Sequence, residues 1–304
     1  VSAPVVLLTG GTGGAKLARG LADVAGEGLT AIVNTGDDVE IHNAHVSPDP
    51  DLVSFWLADR IDARGWGLAD DTFAVMDMLR ELGDDVWFNL GDRDLALCLR
   101  RARRLAEGAT LTQAIAEQTT ALGVGARVLP MSDDPVRTAV SARGAWFGLQ
   151  EFLIQEQGRG PVDDVSFAGA QTAAPTPAVL QAIAQAEAIL IGPSNPIISV
   201  GPILALPGLR EALDAASAPV VAVSPIVGGA VLKGPTAAFL AWAGQEATSA
   251  GVAAHYGGLI DGFVADERFA DPGVPLLVTD VGLSTPDARS RVGREVLDFA
   301  RSLA

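Results

Sequence analysis

Leu8-Thr9-Gly10-Gly11-Thr12-Gly13-Gly14-Ala15-Lys16-Leu17 follows a short apolar run, Val5 to Leu8, and leads into apolar residues at helical spacing, Leu17, Leu21 and Val24. The order is strand, glycine turn, helix. Glycines in such a turn reach positive φ and allow close approach to the backbone. The N–H groups at the helix start can then hold a phosphate. Gly11, Thr12, Gly13 and Gly14 are therefore candidate binding residues, and Lys16 is a cation beside them.

The turn matches neither common nucleotide motif. A Walker A loop places Ser or Thr after its Lys, and here Leu17 follows Lys16. A dinucleotide fingerprint needs a third glycine where Lys16 stands, and its second strand ends on an acidic residue where this chain has Asn34. A phosphate cradle is expected, and a nicotinamide dehydrogenase is not.

Further along, apolar runs alternate with helical patterns. Ala31 to Val33 reads as the second strand and runs into Asn34-Thr35-Gly36-Asp37-Asp38. A loop through His42, His45, Asp49 and Asp51 leads to a helix over Leu52 to Ile61. A second helix, with Phe73, Met76 and Leu79 on one face, opens at Asp70-Asp71-Thr72. Val86 to Leu90 reads as a third buried strand ending in Gly91-Asp92-Arg93-Asp94. Helices follow over Leu95 to Ala106 and, started by Thr110, Leu111 to Leu122. Short strands at Arg127 to Pro130, Arg137 to Ser141, Ala145 to Gly148 and Val165 to Ala168 suggest a mixed or antiparallel insertion at about 125–170.

Alternation then returns. Ala188 to Ile191, Val220 to Val223, Gly262 to Val264 and Leu276 to Val278 read as strands. Pro177 to Ala186, Leu209 to Ala216 and Pro286 to Leu303 read as helices, the last with Arg289, Arg291 and Arg294 outward. The expectation is one Rossmann-like domain over residues 1–304, a doubly wound, mainly parallel α/β sheet with that insertion. In such sheets ligands bind beyond the carboxyl ends of the strands. The special loops lie at those ends, so they should meet in one cleft.

The formal net charge of -16 over 304 residues argues against nucleic acid or an anionic membrane as the main partner. It also requires local cations or a metal wherever a phosphate binds. The single cysteine, Cys98, lies in a helical run and reads as a buried structural thiol. No apolar run reaches the roughly 20 residues of a membrane span. No basic segment or cleavage signal accompanies the first strand, so a cytoplasmic location is expected.

Asp37, Asp38, Asp49 and Asp51 form an oxygen-rich cluster in one connection. Hard carboxylates suit Mg²⁺, which would also offset the charge. His42 and His45 could be metal ligands or bases, but two histidines in a loop beside an Asp cluster read rather as surface or structural residues. Gly192-Pro193-Ser194-Asn195-Pro196 and Lys233-Gly234-Pro235 offer an amide and a cation to a phosphate or base, or else serve as capped turns. Trp66 can stack on a flat ring or pack on a rim.

Taken in order, several motifs resemble the 2-phospho-L-lactate transferases of coenzyme F420 biosynthesis, the CofD/FbiA family. They are Gly10 to Leu17, Asn34 to Asp38, Gly91-Asp92-Arg93-Asp94-Leu95-Ala96, Pro130-Met131-Ser132-Asp133, Gly192 to Pro196, and Ser224-Pro225-Ile226-Val227-Gly228-Gly229 with Lys233-Gly234-Pro235. The resemblance implies a Mg²⁺-dependent homodimer. It would join the deazaflavin Fo to a guanylated three-carbon acid (phospholactate, phosphoenolpyruvate or phosphoglycerate) and release GMP. Asp37 and Asp51 would be the preferred metal ligands, with Asp38 and Asp49 behind them. The glycine turn and Lys16 would hold the diphosphate. Asn195, Gly228, Gly229 and Lys233 would hold the GMP half, and Trp66, Asp71, Thr72 and Asp92 would face Fo. The related gluconeogenesis-factor branch, a nucleotide-sugar-binding regulator, is the alternative.

Overall fold

In a computed structural model, residues 4–232 and 234–304 are described. Lys233, a candidate in the sequence, lies outside them. Seven strands build the central sheet: β1 (Val5–Thr9), β2 (Leu29–Val33), β3 (Arg127–Pro130), β4 (Ala188–Ile191), β5 (Val220–Val223), β6 (Gly262–Ala265) and β7 (Leu276–Val278). Every neighbouring pair is parallel, and the spatial order is 3-2-1-4-5-6-7. The order reverses between β1 and β4, which creates a crevice at their carboxyl ends.

The strands are continuous apolar runs because both faces are covered. Along β1, Val5 and Leu7 enter one core with Leu17, Leu21, Val292 and Val296. Val6 and Leu8 enter the other with Val179, Ile183, Ile203 and Leu209. The first core is closed by helix α1 (Gly11–Ala25) against the C-terminal helix Pro286–Arg301. Gly20 and Gly293 allow this close crossing, since a Cβ on Gly293 would stand 2.9 Å from the Gly20 carbonyl. Among the described residues, no helix is long and apolar enough to cross a membrane.

Several expectations change. Arg127–Pro130 is not part of the insertion: it pairs with β2 as the sheet's edge strand. The antiparallel sheet is formed by Arg137–Ala142, Ala145–Gly148 and Asp164–Ala168 alone. Val86 to Leu90 is irregular chain, not a strand. It is apolar because Phe88 and Leu90 fill a satellite core with Met76, Leu95 and Cys98. Finally, Arg289 is not outward, since its guanidinium lies 5.0 Å from the centre of the Trp56 ring.

The connections after β2 carry four helices: α2 (Pro48–Leu57), α3 (Ala74–Glu81), α4 (Asp92–Ala106) and α5 (Leu111–Leu122). α2 begins four residues before its expected start, with Pro48 in the first turn, where a missing N–H costs nothing. Thr110 caps α5 as expected, in a capping box with Gln113.

Candidate active site

At the reversal point the glycine turn faces the loop after β4. Gly10 is extended, Gly11 takes φ +60°, and α1 starts at once with neither a side-chain cap nor an acidic residue in its first turn. Its first N–H groups therefore lack partners within the helix. One is engaged from outside: Gly11 N–H donates to Asp49 Oδ1 at 2.6 Å. The turn is also tight for packing reasons. A Cβ on Gly13 would run into the Pro193 carbonyl, and one on Gly14 into Thr9 and Ser194. Ser194 Oγ donates to the Gly10 carbonyl, locking the two loops together.

A cavity of about 920 Å³ opens here. Gly11, Thr12, Gly13 and Lys16 line one wall, with Asp37, Asp49, Asp51 and Asp94 beside them. Asn195 and Ser224 lie on the side of β4 and β5, and Trp66, Trp87 and Phe88 on the side of α3 and α4. Loops far apart in sequence thus meet in one cleft.

The carboxylates differ in their partners. Asn34, fully buried, uses one amide nitrogen to bridge Asp37 and Asp49, at 2.9 Å from Asp49 Oδ2. Burial, then the neighbouring Asp49 and Asp38 charges, push the Asp37 carboxyl well above the usual range. Burial pushes Asp49 up to about 6, against the opposing hydrogen bonds from Asn34 and Gly11. Burial and then the Asp51 charge push Asp94 up to about 7. Asp51 is paired with the buried Arg101 and accepts from Gln118 Nε2 at 2.7 Å. Asp51, Asp94 and Cys98 bring ligand atoms within 4.8 Å of one another.

Asp38 stands apart from this lining. Its carboxylate accepts from Ser47 Oγ at 2.7 Å and pairs with His45 Nε2 at 3.0 Å. Burial opposes the charge of His45, but Asp38 and Glu40 outweigh it and raise its pKa. His42 meets the Phe88 carbonyl at 3.2 Å. Both histidines therefore hold the hairpin Val39–Val46 and its surroundings.

Asp71, Thr72 and Asp92 do not reach the cavity wall. Asp71 accepts from Arg93 and Asp94 N–H at 2.8 and 3.0 Å. Asp92 accepts from Val75 N–H at 2.9 Å, Ala74 N–H at 3.1 Å and Thr72 Oγ1 at 2.5 Å. The two aspartates thus cap α4 and α3 reciprocally. Trp66 does line the cleft, 47 % exposed, with Arg64 stacked 4.3 Å from its ring centre. Gly228 and Gly229, at φ +59° and +71°, form the two-residue turn of a hairpin between Ile226–Val227 and Ala230–Val231. The hairpin reaches the cavity through Val227 and Val231 instead. Asn195 Oδ1 caps the segment Pro196–Val200 through Ile197 and Ile198 N–H. Its amide nitrogen lies 3.4 Å from Thr236 Oγ1. Lys16 lies 5.7 Å from the Trp56 ring centre.

Sequence reasoning missed Asp94, Arg101 and Gln118. Asp94, Cys98 and Arg101 follow i, i+4, i+7 spacing and form one stripe of α4. That periodicity placed a basic residue on the buried face, but Arg93, Arg100, Arg103 and Arg104 surround it and obscure the signal.

A family model described as 2-phospho-L-lactate transferase CofD matches residues 5–274. A phosphoenolpyruvate transferase of Kitasatospora aureofaciens is 42% identical, the match covering 94% of this chain and 96% of that protein. A 2-phospho-L-lactate transferase of Methanosarcina mazei is 41% identical over 87% of each chain. Among solved structures, a UPF0052 family member from Bacillus halodurans superposes with a TM-score of 0.65 at 19% identity. That match covers 98% of this chain and 99% of the other. At this identity the likeness bears on the fold alone.

Proposed function

The chain belongs to the CofD family and is a phosphotransferase of that type; from this premise we propose that it transfers a phospho-three-carbon acid from its GMP-activated diphosphate to the deazaflavin Fo in coenzyme F420 biosynthesis. The observation that carries the proposal is the meeting, in one cavity of about 920 Å³, of an open helix N-terminus, Lys16 and buried carboxylates. The volume lies in the upper range of small-molecule sites, roughly 300–1,000 Å³.

In this reading the Thr12 and Gly13 N–H groups and Lys16 hold the diphosphate, while Asn195 and Ser224 border the GMP half. The aromatic wall of Trp66 and Trp87 takes the deazaflavin ring. The terminal ribityl hydroxyl of Fo attacks the phosphorus bearing the acid, the bond to the GMP phosphate breaks, and GMP leaves with that electron pair. A carboxylate of the cavity accepts the hydroxyl proton. Positioning and charge neutralisation carry such a reaction without a covalent intermediate.

The donor set fits Mg²⁺. Four carboxylates line the cavity: burial and neighbouring carboxylates raise the pKa of Asp37 and Asp49, and Asp51 and Asp94 bring oxygens within 4.8 Å of each other. Asp37 and Asp51 would hold the ion, with Asp94 beside Asp51. The ion would supply charge neutralisation at the diphosphate. Asp38 is committed to His45 and Ser47, and Asp49 to Asn34 and Gly11; both brace the site.

The test is incubation of purified protein with Mg²⁺ and Fo. Guanylated phospholactate, phosphoenolpyruvate and 3-phosphoglycerate are supplied in separate reactions, and products are followed by mass. Turnover of one donor supports the proposal and identifies the acid. Absence of product from all three, with folded protein that fails to bind Fo, rejects it in favour of a nucleotide-sugar-binding regulator.

A further inference from the structure

Arg101 is 2 % exposed, on the inner stripe of α4 with Leu95 and Cys98. Its guanidinium gathers acceptors from three elements. It donates to the His45 carbonyl at 2.9 Å, to Gln118 Oε1 on α5 at 2.8 Å, and to Asp51 Oδ1 on α2. Gln118 returns its own amide to the same carboxylate oxygen at 2.7 Å. One oxygen of Asp51 is thus gripped by two donors. The other, Oδ2, meets only the weak Cys98 thiol at 3.9 Å among the described residues.

Stability alone is a poor reason for this arrangement. A buried ion pair gains little over apolar residues of the same volume, because both charges lose their water. Arg101 Nε is also buried without a partner. What the network does achieve is geometric. A carboxylate on a two-bond side chain normally rotates, and here its orientation is set from behind by a rigid fork and an amide. Asp51 is also the residue that carries this network to the cavity wall.

Resting on the metal-assisted transfer proposed above, we propose that Arg101 and Gln118 are positioning residues for Asp51. They fix Oδ1 at the rear and present Oδ2 as a preset, single-oxygen ligand for a divalent cation. The guanidinium also balances one carboxylate charge, which lets Asp51 stay close to Asp94 without a cation between them.

The experiment compares the wild type with Arg101→Met, Arg101→Lys and Gln118→Met. Mn²⁺ serves as a probe, with its affinity read by electron paramagnetic resonance, alongside kcat, KM for Fo and Tm. Partners of this kind usually carry 10–100-fold in metal affinity or activity. Arg101→Met should weaken Mn²⁺ binding and lower kcat by about 10–100-fold, with KM for Fo changed less than about twofold. Arg101→Lys should recover part of the loss, since a point charge replaces the fork. A folded Arg101→Met protein with wild-type Mn²⁺ affinity overturns the proposal. If Arg101→Met does not fold, Gln118→Met decides: weakened Mn²⁺ binding supports the proposal, and wild-type affinity overturns it. A wild-type protein that neither binds Mn²⁺ nor turns over instead removes the metal-assisted reading beneath it.

Discussion

Gly13→Ala tests whether the two loops at the sheet's reversal point form one rigid site. The added Cβ would lie 3.1 Å from the Pro193 carbonyl carbon, with the carbonyl oxygen nearer still. Both atoms belong to backbone, so no side chain can swing aside. The glycine turn and the loop after β4 must part by roughly 1 Å, across the crevice where the diphosphate is proposed to sit. Overpacking of this kind costs about 1–3 kcal/mol, and alanine's preference for helix returns about 1 kcal/mol. Net destabilisation should therefore stay below about 2 kcal/mol, a fall in Tm of no more than about 8 °C for a chain of this size. Catalysis should suffer more. A displacement of about 1 Å in a positioned site costs on the order of 100-fold. Steady-state assays with Fo and the preferred guanylated donor, run beside thermal unfolding, separate the two effects. A variant that unfolds like wild type and keeps wild-type kcat/KM would refute the close coupling of the two loops.

Asp37→Asn should lower Mg²⁺-dependent turnover at least about 100-fold while leaving the fold intact, since the change relieves a crowded carboxylate; near-normal turnover across a Mg²⁺ titration would remove Asp37 from the site. Gly293→Ala should lower Tm by up to about 8 °C, because forcing α1 and the C-terminal helix apart costs more than alanine's preference for helix returns, measured by calorimetry. The raised carboxylates give a pH signature. Asp49, near 6, and Asp94, near 7, bind protons more tightly folded than unfolded. Their contribution to stability is therefore lost as pH rises from about 4 to 7. Metal-free protein should melt lower at pH 8 than at pH 5.5, Mg²⁺ should reverse the difference, and its binding should release protons measurable by calorimetry in buffers of different ionisation enthalpy. Cys98, buried and with its thiol pushed well up by burial, should resist alkylation at pH 8 until the protein unfolds, followed by mass.

The sheet was legible because buried parallel strands are uninterrupted apolar runs. Ala188–Ile191, Val220–Val223 and Leu276–Val278 fall where the runs of Ala, Ile, Leu and Val fall. The same signal misled at Val86 to Leu90, where burial against α3 and α4, not sheet pairing, makes the residues apolar. The start of α2 was hidden because Pro48-Asp49-Pro50-Asp51 has a loop's composition, although proline suits a first helical turn. In the site, the glycine turn and the acidic connection could be read locally. The division of labour among the aspartates could not. Asp38 is paired within its own hairpin, Asp71 and Asp92 cap facing helices, and Asp51 is fixed by residues 50 and 67 positions away. Such pairings exist only once the chain is folded.

The most direct measurement is the stoichiometry of GMP and phosphodiester formed from Fo and a guanylated three-carbon acid, with Mg²⁺ supplied or removed by chelation. Equimolar GMP and diester, formed only when Fo and Mg²⁺ are both present, is the predicted result. GMP released without Fo, or diester formed undiminished without the metal, would contradict a metal-assisted transfer in this cleft.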